Sequence, residues 1–167
     1  MMRDVVLLDG GLGQEISLRY TGETHPLWSI KVMLEQPDIV LDVHRAFMQA
    51  GARVLTLNTY TATPTHMAMH GFEAQFEDAQ HTAIGIANDA IAAEGLARSD
   101  ITIAGCLPPL VASYVRERAY GYAQSLDEFR QIVSLQKDSV DVFFVETMTN
   151  WQEASAAIAA AKEVGKP

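Results

Sequence analysis

The sequence predicts an α/β fold built on a parallel sheet. Four short apolar runs alternate with stretches of helical spacing, the links from each helix back to the next run are short, and two runs end in a carboxylate. A continuous apolar run suits a strand buried on both faces, the condition of a parallel sheet covered by helices. No hairpin signal interrupts the alternation, so right-handed crossovers make the strands parallel neighbours in sequence order.

The first run is Val5-Val6-Leu7-Leu8, leading straight into Asp9-Gly10-Gly11. Asp9 falls at the C-terminal end of the strand, where α/β folds gather their chemistry, and the glycines permit a sharp turn and close approach of a ligand. Gly11-x-Gly13 imitates a dinucleotide fingerprint. Ile16 stands at the third glycine position, however, and the next strand ends in Asn58 rather than an acid, which excludes that reading. Residues 12–36 form a long connection with one short helix near 14–19, and Leu27-Trp28-Ser29 is either a pocket wall or the lid of a core.

Pro37 suits the first position of a helix, with Asp38 beside it at the positive end. Ile39, Val43, Phe47 and Ala50 follow at helical spacing and Gly51 is a stop. The second strand is Arg53-Val54-Leu55-Thr56-Leu57-Asn58-Thr59-Tyr60. Phe76, Ala79, Ala83, Ala87 and Ala90 mark one face of the next helix, which ends near Gly95. Ile101-Thr102-Ile103-Ala104-Gly105 is the third strand, running into Cys106-Leu107-Pro108-Pro109. Ser125 and Glu128 have the spacing of a capping box ahead of Phe129, Ile132 and Val133. Asp141-Val142-Phe143-Phe144-Val145-Glu146-Thr147 is the fourth strand. Asn150 and Glu153 repeat the cap pattern before a last, alanine-rich helix closed by Gly165. Two connections are long, 61–71 and 107–124. The second carries Tyr114, Arg116, Arg118, Tyr120 and Tyr122, and reads equally as a covering loop or a solvated excursion.

Composition narrows the function. At 167 residues the chain is one domain with a real core, and 49% hydrophobic against 20% charged residues is a soluble, globular balance. A net charge of −9 makes nucleic acid or an anionic membrane surface a poor partner. No apolar run approaches the roughly 20 residues of a membrane span, and the N-terminus lacks a secretory signal, so the expected compartment is the cytoplasm. Cys106 is the only cysteine, which excludes an intramolecular disulfide and a thiol-rich metal site within one chain.

In a parallel barrel the strand ends Asp9, Asn58-Thr59, Gly105-Cys106 and Glu146-Thr147 converge on one mouth. Two carboxylates there could hold an ammonium group, act as acid and base, or bind a hard metal, and the first use demands least. His66 and His70 stand at i, i+4, but no Glu follows His66 as in a zinc protease, and packing is the simpler reading. His25 and His44 show no partner pattern, Met67 and Met69 read as packing, and Cys106 reads as a small core residue.

These segments together resemble the homocysteine S-methyltransferase family, of the betaine–homocysteine and S-methylmethionine–homocysteine type. The resemblance rests on Leu8-Asp9-Gly10-Gly11-Leu12-Gly13, Leu27-Trp28-Ser29, His44-Arg45-Ala46-Phe47, Ala50-Gly51-Ala52 and Leu57-Asn58-Thr59-Tyr60. It continues through Ala104-Gly105, Pro108-Pro109, Tyr114, Phe144-Val145-Glu146-Thr147 and Glu153-Ala154. It implies a TIM (β/α)8 barrel that methylates the sulfur of homocysteine to give methionine. The methyl donor would be S-methylmethionine, S-adenosylmethionine or betaine. By the same resemblance Asp9 and Glu146 bind the substrate amino group, Gly10 and Gly11 form the adjoining turn, and Asn58 and Thr59 shape the mouth.

The family's cofactor is zinc (Zn2+) held by three cysteines of the second half of the barrel, and Cys106 matches none of them. Residues 1–167 therefore read as the N-terminal half of a homocysteine-binding barrel, about four βα units, with substrate-binding residues but no metal ligand or catalytic residue of its own. Open edges and an unfilled centre lead to the expectation that the chain alone self-associates, a homo-oligomer among the outcomes, and lacks zinc and turnover. The alternatives are a non-catalytic half-barrel that pairs with another chain and a metal-free, aldolase-like barrel. The latter is weakened because no strand ends in lysine.

Overall fold

Three parallel strands in sequence order form the sheet of a computed structural model that describes residues 5–167, apart from Ala112, Arg116 and Arg118. They are β1 (Val54–Thr56), β2 (Thr102–Leu107) and β3 (Val142–Val145). Val54 lies opposite Thr102, and Ala104 opposite Val142. Around them the chain places α1 (Leu12–Arg19), α2 (Ser29–Glu35), α3 (Pro37–Gln49), α4 (Pro64–Met69), α5 (Phe76–Ala93), α6 (Tyr122–Gln136) and α7 (Trp151–Glu163). Successive long helices pack on one another, α3 on α5, α5 on α6 and α6 on α7, while α1 and α2 lean on α3.

The first apolar run departs from expectation. It lies parallel beside β1, with Arg53 N donating to Leu7 O at 2.9 Å and Asp9 N donating to Val54 O at 3.0 Å, but only Leu8 forms a bridge. Val5 is 90% and Val6 61% exposed, so this run is not buried on both faces. None of the described residues covers its outer side. At the opposite edge the chain turns after α7 and comes back to β3, where Phe143 N donates to Pro167 O at 2.8 Å.

Local chemistry explains the helices. Pro37 opens α3 as expected, and Asp38 sits in its first turn. Two short helices carried subtler signals. α4 begins on Thr63-Pro64, where Thr63 Oγ1 accepts from His66 N at 3.1 Å. α2 follows Trp28, whose left-handed backbone (φ 47°) no sequence pattern announces.

The capping box expected at Ser125 and Glu128 does not form. α6 starts four residues earlier, on Gly121, with no side-chain cap. The Glu128 carboxylate instead accepts from the backbone N–H (3.1 Å) and the hydroxyl of Thr65, in the first turn of α4. It thus supplies the acceptor that a neighbouring helix N-terminus lacks. At α7 the cap is half realised: Asn150 Oδ1 accepts from Glu153 N at 2.8 Å, while the Glu153 carboxylate accepts from Leu110 N at 3.0 Å.

Phe129, Ile132, Leu55 and Ile103 lie in the core between sheet and helices, all essentially solvent-free. Truncating Phe129→Ala should cost about 3–5 kcal/mol, read as a lower urea midpoint with an unchanged slope. The exposed run at 5–8 should make the 167-residue chain self-associate. Val6→Lys should weaken that association in sedimentation, because a charge on an edge opposes pairing.

Candidate functional site

The C-terminal ends of the strands open into a cleft of about 760 Å³. Asp9, Gly10 and Gly11 contribute from the end of the first run, Thr56 and Tyr60 from β1 and the segment after it, Cys106 from β2, and Glu146 and Thr147 from the end of β3. Trp28 and Tyr114 stand on the surrounding loops. Of the strand-end residues singled out in the sequence, Asp9, Gly10, Gly11 and Glu146 share this cleft. Asn58 and Thr59 do not line it. Both are buried, Asn58 Nδ2 donating to Ser29 O at 3.2 Å and Thr59 Oγ1 accepting from Gln136 Nε2 at 3.3 Å.

Asp9 is held by β1, since its carboxylate accepts from Thr56 N at 2.6 Å and from Thr56 Oγ1 at 3.0 Å. Burial nevertheless pushes its carboxyl above the ordinary range, against the opposing pull of those bonds. Burial raises Glu146 as well. A hydrogen bond from Cys106 works against this rise and the charge of Asp9 adds to it. The Cys106 thiol, fully buried, is pushed well above its usual value by burial and then by the charge of Glu146. No Lys, Arg or His among the described residues lines the cleft. Two partly desolvated carboxylates without a countercharge favour a cationic ligand such as an ammonium.

A metal fits these residues poorly. Among the described residues no three His, Cys, Asp or Glu side chains are grouped as ligands. The single thiol at the cleft is held protonated by burial, whereas a zinc ligand is a thiolate. His66 and His70 come together with ring centroids 5.1 Å apart. The two nitrogens of His66, however, face the carbonyl oxygens of Val111 (3.0 Å) and Pro26 (3.3 Å), which makes its role structural. His44 is fully buried in α3 and lowered to about 4 by burial. Met67 packs in the core and Met69 is exposed. Of the long loop, Tyr114 reaches the cleft, while Arg116 and Arg118 lie outside the described residues.

Backbone strain gathers at the same place. Trp28 (φ 47°), Tyr114 (φ 63°) and Thr147 (φ 46°) are the non-glycine residues with left-handed backbones among those described, and all three line the cleft. For a β-branched residue such as Thr147 this conformation is an outlier, and such strain of about 1–3 kcal/mol persists where surrounding structure enforces it. Here Tyr60 does so, its hydroxyl meeting Thr147 Oγ1 and, at 2.6 Å, Ser113 Oγ.

The Trp28 indole donates to Ser17 Oγ at 2.6 Å and lies over Gly13, where any Cβ would overlap its ring. Gly10 likewise leaves room for the Phe47 ring. Gly13→Ala should therefore displace the indole and break its bond to Ser17. In a Trp151→Phe background the expected result is a red-shifted, solvent-quenched Trp28 emission.

A family model described as homocysteine S-methyltransferase matches residues 6–167. Homocysteine S-methyltransferase of Escherichia coli K12 is 28% identical over 165 residues, covering 92% of this chain and 53% of that protein. YbgG of Bacillus subtilis 168, another homocysteine S-methyltransferase, is 27% identical, with 95% and 55% covered. The metallated crystal structure of the E. coli homocysteine methyltransferase MmuM superposes with a TM-score of 0.79 at 25% identity, over 97% of this chain and 60% of that one. The chain spans about half the length of the curated relatives it matches. Its cleft and strand order thus lie within a match that runs nearly end to end, and the chain belongs to the homocysteine S-methyltransferase family.

Proposed function

We propose that this chain carries the amino-acid-recognising part of a site that transfers a methyl group to the sulfur of homocysteine, giving methionine. One observation carries the reading: Asp9 and Glu146 face one cleft, half-buried, without a cation among the described lining residues. Their role is to hold the substrate ammonium, whose charge offsets the burial that raises both carboxyls. The bare backbone at Gly10 and Gly11 lets the amino-acid end of the substrate approach closely.

The methyl donor would be S-methylmethionine, S-adenosylmethionine or betaine. In each, the atom that bears the methyl group is positively charged, and that charge is lost as the methyl carbon passes to sulfur. Trp28 and Tyr60, edge-on with centroids 6.4 Å apart, suit such a cation through their electron-rich faces. Zinc, which the family resemblance implies, finds no fitting donor set among the described residues, and no step here is routed through it. The exposed run at 5–8 favours a second reading, a non-catalytic half-barrel that pairs with another chain. Protein that binds no homocysteine while self-associating through residues 5–8 would favour it.

In the purified protein, Asp9→Asn and Glu146→Gln should each weaken homocysteine binding by about 1.5–3 kcal/mol in calorimetry, the worth of a hydrogen bond to a charged group. Unchanged affinity in both would overturn the placement of the substrate. Binding should also decline as acid protonates the two carboxyls, beginning at higher pH than for exposed ones because burial raises both.

Stability should move the other way. A carboxyl raised in the folded state contributes stability below its unfolded pKa and loses it as pH rises through the folded one. The unliganded amide variants should therefore melt higher than wild type at neutral pH. That difference should vanish below the ordinary carboxylate range.

A further inference from the structure

Buried polar groups pack behind the cleft. On α5, Gln80 Nε2 donates to Ala62 O at 2.7 Å, and its Oε1 accepts from Gln136 Nε2 of α6 at 2.7 Å. The same Gln136 amide nitrogen donates to Thr59 Oγ1 at 3.3 Å. Thr59 is among the side chains acting on the Cys106 thiol, where it opposes the rise that burial imposes. Cys106 Sγ donates to Glu146 Oε2 at 3.5 Å. Thr59, Gln80, Cys106 and Gln136 are all essentially solvent-free.

An amide nitrogen only donates, and an ionised carboxylate only accepts. Gln136 therefore donates to Thr59, and Cys106 points its proton at Glu146. Backbone pairing fixes the same carboxylate from another side, because Glu146 N donates to Leu107 O of β2 at 3.1 Å. One strand thereby holds both the main chain and the side chain of Glu146.

We propose that Cys106 is a positioning residue, whose buried thiol fixes the Glu146 carboxylate so that its second oxygen receives the ammonium of an amino-acid substrate. The inference rests on the homocysteine reading above, and it moves Thr59 from substrate contact to the row behind it. The titratable groups acting on Glu146 from neighbouring elements are Asp9, from the end of the first run, and Cys106, from β2. Loss of the thiol removes a contact that favours the ionised carboxylate and leaves burial and the charge of Asp9 acting against it.

Two readouts on the purified protein test this separately. The first needs no substrate: the Raman S–H stretching band of Cys106, assigned by its loss in Cys106→Ala, should shift when Glu146 is protonated and again in Glu146→Gln. A band indifferent to pH and to Glu146→Gln overturns the proposal, even if Cys106→Ala fails to fold.

The second readout is homocysteine affinity against pH. Cys106→Ala should weaken binding roughly fivefold at neutral pH, as for loss of one modest hydrogen bond to a charged group. It should also move the acidic limb of the profile to higher pH, and Cys106→Ser, which restores a donor, should bring the limb back. An acidic limb unmoved in Cys106→Ala overturns the positioning role. A responsive S–H band with wild-type homocysteine affinity in Glu146→Gln instead overturns the homocysteine reading, and the proposal with it.

Discussion

The parallel pairing of β2 on both of its sides is the constraint on which the site depends. Its first half takes β1 as partner and its second half takes β3. Every strand-end group in the cleft is therefore set relative to it. Asp9 is anchored to Thr56 of β1, which lies opposite Ala104. Glu146 is anchored by its main chain to Leu107 and by its side chain to Cys106. A slip of one residue in the register of β2 with β3 would turn Cys106 away from the carboxylate, because side chains alternate between the faces of a strand.

The shared placement of the two acids was legible because each closes an apolar run, and the recurrence of the pattern at two strand ends put them on one side of the sheet. Thr59 and Asn58 were legible as strand-end residues but not as buried ones. Regular pairing of β1 stops at Thr56, and the next residues turn into the space beneath α2 and α6, where Ser29 O and Gln136 claim them. Ser125 and Glu128 met the spacing of a capping box, yet the nearer unsatisfied N–H belonged to Thr65. Spacing reports what a side chain can reach within its own helix, and it is silent about a second helix brought alongside. The first run fails differently: its apolar residues predict burial that the described residues do not supply, while its backbone already lies where a strand would.

Left-handed backbone at Trp28, Tyr114 and Thr147 left no trace in the sequence, since none of the three is glycine. Strain of this kind is visible only in three dimensions, and its concentration at one cleft separates that cleft from a mere gap between loops. The Tyr60 hydroxyl ties the segment after β1 to two such places at once, touching Thr147 itself and Ser113 beside Tyr114. The cleft is thus braced across strand ends rather than along any one of them.

Order of pairing bears on how the chain acquires its shape during synthesis. Each strand hydrogen-bonds to the one that left the ribosome just before it, and Pro167 already reaches Phe143. Among the described residues, each step of strand pairing then has its template waiting. A nascent chain built in this way can fold vectorially, extending one edge of the sheet by one helix and one strand at a time.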